Sequence, residues 1–200
     1  MPPTTIALPH AIHVAIDEAM RQRAKHDGHL RQMQRTRASP ADAYIGTLGE
    51  LVWAQLRYGS YAGFDTLHSQ GKVDDHGSVN PLEPIVEIGI KIEIGIEIKT
   101  SKTRVSPHSH LMVREDYARR RQPDFYVLVL IPHTQAPSAE RDAFVCGWAS
   151  HAEVIARPPI ERISTHTGRT QGFRCYEVAA ADLHPLHELP FDLVGIHQRN

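Results

Sequence analysis

Between Val86 and Lys102 isoleucine alternates with glutamate, lysine or glycine. This period of two predicts a strand with one buried face. Ile92, Ile94, Ile96 and Ile98 point into a core, and Glu93, Gly95, Glu97 and Lys99 point the other way. A carboxylate and an ammonium, two residues apart, therefore leave the sheet side by side. The run exceeds the usual strand of about 5–6 residues. Gly89 and Gly95 accordingly predict a bend, a bulge or a tight connection. The near repetition of Glu-Ile-Gly-Ile leaves the pairing register unspecified.

Elsewhere the pattern changes period. Ile12, Ile16, Ala19, Met20 and Ala24 fall at helical spacing, and Gly28 predicts the stop. The polar segment that follows, with Arg31, Arg35 and Arg37, reads as a solvated surface or as an arm for phosphates. Ser39-Pro40-Ala41-Asp42 opens a second helix, with a serine cap and proline at the first position. Its apolar stripe of Ile45, Leu48, Val52 and Leu56 should run to about Arg57 and end at Gly59. Gly46 and Gly49 weaken that helix unless another backbone packs closely, which places Glu50 beside such an approach.

A short strand is expected from Tyr61 to Leu67, a turn-rich segment from Gly71 to Pro81, and a helix from His110 to Arg121. The continuous apolar run from Phe125 to Ile131 predicts a central strand buried on both faces. Ala143 to Ala149 and Phe173 to Val178 predict further strands. Ser150-His151-Ala152-Glu153 is a capping box opening a short helix to Ala156, and a last helix is expected from Ala180 to Leu189. The order predicts an α/β fold, with a central mixed sheet flanked by helices. One domain over 1–200 is expected: a helix and basic arm at 1–38, a core at 39–155, and a strand and helix at 156–200.

Composition adds limits. Two hundred residues can bury a core without staples. A net charge of −1 announces no global basic field for nucleic acid, although a local basic face escapes such a sum. Cys146 and Cys175 lie in apolar runs and suit buried free thiols. No apolar run approaches the roughly 20 residues of a membrane span, and the start lacks a signal-peptide order, so a cytoplasmic protein is the expectation. His108-Ser109-His110 and His184-Pro185-Leu186-His187 lack the companions of a zinc site. No nucleophile elbow, phosphate loop or dinucleotide glycine pattern occurs.

Glu97-Ile98-Lys99 on this strand resembles the ExK half-motif of the PD-(D/E)XK nuclease superfamily. Gly46-Thr47-Leu48-Gly49-Glu50 is similar to the GxxGE helix of many members, and Lys99-Thr100-Ser101-Lys102 extends the strand in the same manner. Pro123-Asp124-Phe125-Tyr126-Val127 and Cys146-Gly147-Trp148-Ala149 resemble the following core strands. The likeness covers about residues 40–155.

The resemblance implies a restriction-endonuclease-like core and metal-dependent phosphodiester hydrolysis, with DNA as partner and room for a homodimer. Such hydrolysis needs an activated water and charge stabilisation on phosphate oxygens, which Mg²⁺ supplies and Mn²⁺ would imitate. Glu97 and the Ile98 carbonyl would be metal ligands, Lys99 would orient water or neutralise charge, and Glu50 would approach from its helix. Asp75 is assigned as the remaining acid, with Asp74 and Glu87 as alternatives, the last only if the chain turns near Gly89. No proline precedes the aspartate, and its gap to Glu97 is longer than the family's. Lys102, Arg104, Arg114, Arg119, Arg120 and Arg121 would contact the DNA backbone. Two other readings stay open: cross-strand ion pairs on a solvated sheet face, and a binding module with a degenerate site.

Overall fold

The computed structural model describes residues 8–34, 39–60, 64, 72–73, 79–80, 82–87, 90–136, 138–164 and 171–189. In chain order the elements are β1 (Ile12–Ala15), α1 (Glu18–Gln34), α2 (Pro40–Tyr58), β2 (Lys72–Val73), β3 (Val79–Asn80), β4 (Leu82–Glu87) and β5 (Ile90–Thr103). They continue with β6 (His110–Arg114), α3 (Glu115–Arg121), β7 (Phe125–Pro132), β8 (Asp142–Ser150), α4 (His151–Ile155), β9 (Ile160–Ser164) and β10 (Gln171–Ala179). The central sheet has the order β1-β8-β7-β5-β4 and is mixed, since β5 and β7 run parallel and the other pairs antiparallel. A second sheet, β6-β10-β9, lies against it, and β2 pairs with β3. The expected α/β class with a mixed central sheet and flanking helices is present.

The central sheet separates two cores. On one face Met20, Ala24, Leu48, Leu51, Val52 and Trp53 of α1 and α2 meet Ile96, Val127, Val129, Ile131 and Val145. On the other, Tyr126, Leu128, Leu130 and Cys146 meet Leu111, Val113, Ala118, Tyr176 and Val178. The continuous run of β7 is explained, because both its faces are buried. Cys146 and Cys175 are free and buried, and burial pushes the Cys146 thiol up to about 12. Among the described residues no helix is long and apolar enough to cross a membrane.

α2 forms as expected: Ser39 accepts from the Asp42 amide, Pro40 starts the first turn, and Gly59 ends the helix at φ 70°. Its Gly49 touches the sheet so closely that a Cβ there would lie 1.8 Å from Thr100 Oγ1, whereas a Cβ at Gly46 would meet nothing within 4 Å. Close packing thus accounts for one of the two glycines.

Four expectations need correction. Ile12–Ala15 is a strand on the sheet edge, not a helix, and α1 begins only after Asp17, whose Oδ1 accepts from the Met20 amide at 2.7 Å. α1 also runs through Gly28, where a Cβ would crowd the Tyr44 backbone at 3.1 Å, so this glycine serves helix–helix contact instead of a stop. His110–Arg114 is strand and only Glu115–Arg121 is helix, since Leu111 and Val113 bury one face in a period of two. Ala180–Asp182 and Leu186–Glu188 are short 3-10 turns, because Pro185 stands between them. The strand expected at Tyr61–Leu67 is described only at Phe64, which is helical and buried.

Candidate active site

Alternation along β5 decides what each side chain meets. Ile96 and Ile98 pack into the core beneath α1 and α2, and Thr100 lies under Gly49. Glu97 and Lys99 therefore face the other layer, where α3 crosses the sheet. The Lys99 ammonium is hydrogen-bonded to Glu97 Oε1, and Arg121 Nη1 approaches the same oxygen at 3.6 Å. The Glu97 side chain is only 12% exposed, so this carboxylate sits at a covered edge of the sheet and not on an open, solvated face. The parallel register puts Tyr126 beside Glu97 on the same face. Its hydroxyl lies 3.1 Å from His151 Nδ1. Burial, reinforced by the Glu97 charge, holds the Tyr126 phenol well above its ordinary value.

α3 supplies the cations. Glu115 and Asp116 occupy its first turn, and Arg119, Arg120 and Arg121 its last, a distribution that suits the helix dipole. Gln122 closes it in the left-handed conformation, at φ 36°. Tyr117 is the hub: Arg121, Arg120, Arg114 and Lys99 lie 5.2, 5.4, 5.5 and 5.7 Å from its ring centroid. Four cations around one phenol ring make a rigid positive surface, each contact worth about 0.5–1 kcal/mol at an exposed position. Arg114 is also hydrogen-bonded to Asp116 at 3.0 and 3.2 Å, Arg119 to Glu115 at 2.8 Å, and Arg120 to the Asp116 carbonyl at 3.0 Å.

The expected residues are only partly assembled. Glu97, Lys99, Arg114, Arg120 and Arg121 cluster; Arg119 is on the same helix, paired with Glu115. Arg104 follows the end of β5, exposed, and its carbonyl accepts from Ser109 at 2.5 Å. Lys102 does not extend the basic face, because it has the parity of Thr100 and pairs with Glu140 at 2.7 Å on the α2 side. Glu50 is half-buried and follows Gly49, so its helix lies against the face opposite Glu97. β4 and β5 do turn between Glu87 and Ile90, which pair, but seven residues from Ile90 to Glu97 are about 23 Å of strand. Register thus removes Glu87 from the site. Asp74 and Asp75 lie outside the described residues, as do their side-chain contacts.

Four participants escaped the sequence. Tyr117 read only as an apolar helix position, although an aromatic residue preceding three arginines is the available signal. Tyr126 and His151 meet through tertiary structure alone. Asp124 accepts from the Gly95 amide at 2.7 Å and ties the start of β7 to β5 two pairs before Glu97. Among the described residues no group of three His, Cys, Asp or Glu side chains is placed to hold a metal ion. Comparison with known proteins finds no matching protein family, no matching curated protein and no matching solved structure.

Proposed function

We propose that the protein is a metal-dependent DNA nuclease on a restriction-endonuclease-like core, using Mg²⁺ with Mn²⁺ as a substitute. The observation that carries this reading is the Glu97–Lys99 pair on one covered face of β5, beside the cation cluster at Tyr117. The order of α2, β5 and a β7 parallel to β5 supports it, since the resemblance rests on segments of these three elements in that order.

The described side chains give the ion one carboxylate, Glu97, whose Oε1 already receives two cations. A hard oxygen donor of this kind fits Mg²⁺, provided that Asp75 or Asp74 completes the set with the Ile98 carbonyl. Bound there, the ion would supply an acidified water and positive charge at phosphate oxygens. Lys99, held by Glu97, places an ammonium where charge develops on the phosphate, and fixed charges of this kind need no reorganisation during reaction. Arg121 adds a second cation. Arg114 and Arg120 position the backbone through phosphates, a contribution that falls with salt. A homodimer would place two such sites on the two strands of a duplex.

The experiment is incubation with single-stranded, duplex and branched DNA in Mg²⁺, Mn²⁺ or EDTA. Cleavage should require metal and disappear in Glu97→Ala and Lys99→Ala; cleavage that survives both substitutions overturns the assignment. The binding of Glu97 to Lys99 and Arg121 favours a second reading, a nucleic-acid-binding module whose site is closed by its own ion pairs. Binding without cleavage in every metal would select it.

A further inference from the structure

We infer that an unpaired nucleobase of the substrate strand docks in the cleft between α3 and the β9–β10 hairpin, beside the Glu97 site. The cleft holds about 480 Å³, within the range of small-ligand sites. Arg114 joins it to the cation cluster: its guanidinium lies 5.5 Å from the Tyr117 centroid and 5.5 Å from that of Phe173, which lines the cleft. Arg114, fixed by Asp116 and flanked by both rings, backs Phe173, and the Phe173 ring is the aromatic surface that lines the cleft. Ile163, which also lines the cleft, is 69% exposed, the most exposed large apolar side chain among the described residues.

The charges say what fits. Arg114, Arg162 and Arg174 are balanced by Glu115, Asp116 and Glu161, so the cleft offers a phosphate no net field. Arg162 is clamped by Glu177 at 2.6 Å through two nitrogens, and Arg174 meets Glu115 at 3.3 Å. What remains is an open cleft in which Phe173 and Ile163 supply apolar surface among paired guanidinium and carboxylate groups. A nucleobase has a π-face for stacking and mixed donor and acceptor edges, which guanidinium and carboxylate groups read. Phosphates then belong to the Tyr117 cluster and the base to the cleft. This assignment rests on the nuclease reading for its substrate, but not for its test.

Binding is measured by anisotropy, in EDTA and with Glu97→Ala as background, so that cleavage is not needed. The probes are a short single-stranded DNA, the same length with abasic positions, and a blunt duplex. Phe173→Ala and, as an exposed and uncharged change with no folding cost, Ile163→Ser should each weaken single-strand binding about tenfold while leaving its salt slope unchanged, because stacking releases no counterions. Arg120→Ala should weaken binding and reduce the slope. Leu30→Ser, at an exposed site on α1, is the control. Abasic DNA binding as tightly as the normal strand, or both cleft variants binding like the background, overturns the base site. If cleavage fails but these differences hold, the nuclease reading alone is lost.

Discussion

β5 sends Lys99 to one side of the central sheet and Lys102 to the other, and each ammonium meets a glutamate. Lys99 bonds Glu97, two residues away on its own strand, and the pair faces the cations of α3. Lys102 bonds Glu140, which lies 38 residues away and is 0% exposed. Glu140 also accepts from the Tyr44 hydroxyl at 2.8 Å, and its carbonyl accepts from Arg21 at 2.6 Å. Through its carboxylate and its carbonyl, Glu140 thus joins β5, α2, α1 and the approach to β8. Among the described residues Glu97 has one distant ion-pair partner, Arg121. The same residue types on one strand serve tertiary closure on one face and, in the proposed function, a ligand-facing cluster on the other.

The sharpest way to break the comparison is to remove each glutamate in turn. Glu140→Ala leaves Lys102 without its partner and empties a buried hydrogen-bonded position, and should cost about 3–5 kcal/mol in urea unfolding. Glu97→Ala breaks one contact to a distant element, Arg121, and leaves two partly covered cations without this carboxylate, so it should cost about 1–3 kcal/mol, less than Glu140→Ala, while abolishing cleavage. Equal losses for the two variants would erase the distinction.

The two glycines of α2 sharpen it further. Gly49→Ala must displace Thr100 on the Glu140 side of β5, and should cost about 1–3 kcal/mol as overpacking. Gly46→Ala meets open space and should gain up to about 1 kcal/mol from helix propensity. Thermal melts of the two variants should therefore move in opposite directions.

These contrasts mark what was legible beforehand. The alternation of β5 announced that Glu97 and Lys99 share a face, and Ser39, Pro40 and Gly59 announced the limits of α2. An apolar stripe says which side of a helix is buried, but not which face of a sheet it covers, so the layer that α2 joins was not legible beforehand. Short segments failed for a related reason. Leu111 and Val113 fit both periods within five residues, and Ile160–Ser164, with two exposed isoleucines, carries almost no period. Tyr117 and Arg121 reached Glu97 only because a crossover brings α3 over β5. No local pattern encodes that distance.

The smallest effect is the dependence on acid, and its sign follows from the same buried pair. Burial pushes the Glu140 carboxyl up, but hydrogen bonds from Lys102 and Tyr44 outweigh it and leave the group below its ordinary value of 4.5. A carboxyl depressed in the folded state adds stability above its unfolded value and loses it as pH falls through the folded one. Glu153 has the same sign: burial raises it, yet His184 and Ser150 bring it down to about 2, so its share fades between pH 4.5 and 2. That share is small, since Glu153 and His184 are about half exposed and solvent screens them. Urea midpoints followed from pH 7 to pH 3 should fall toward acid in the wild type. Glu140→Gln should start lower and fall less, and Glu153→Gln should flatten only the most acidic part. A Glu140→Gln curve parallel to the wild type throughout would mean that Lys102 and Tyr44 do not hold an ionised carboxylate, and the closure of β5 would have to rest on packing at Gly49 and Thr100 alone.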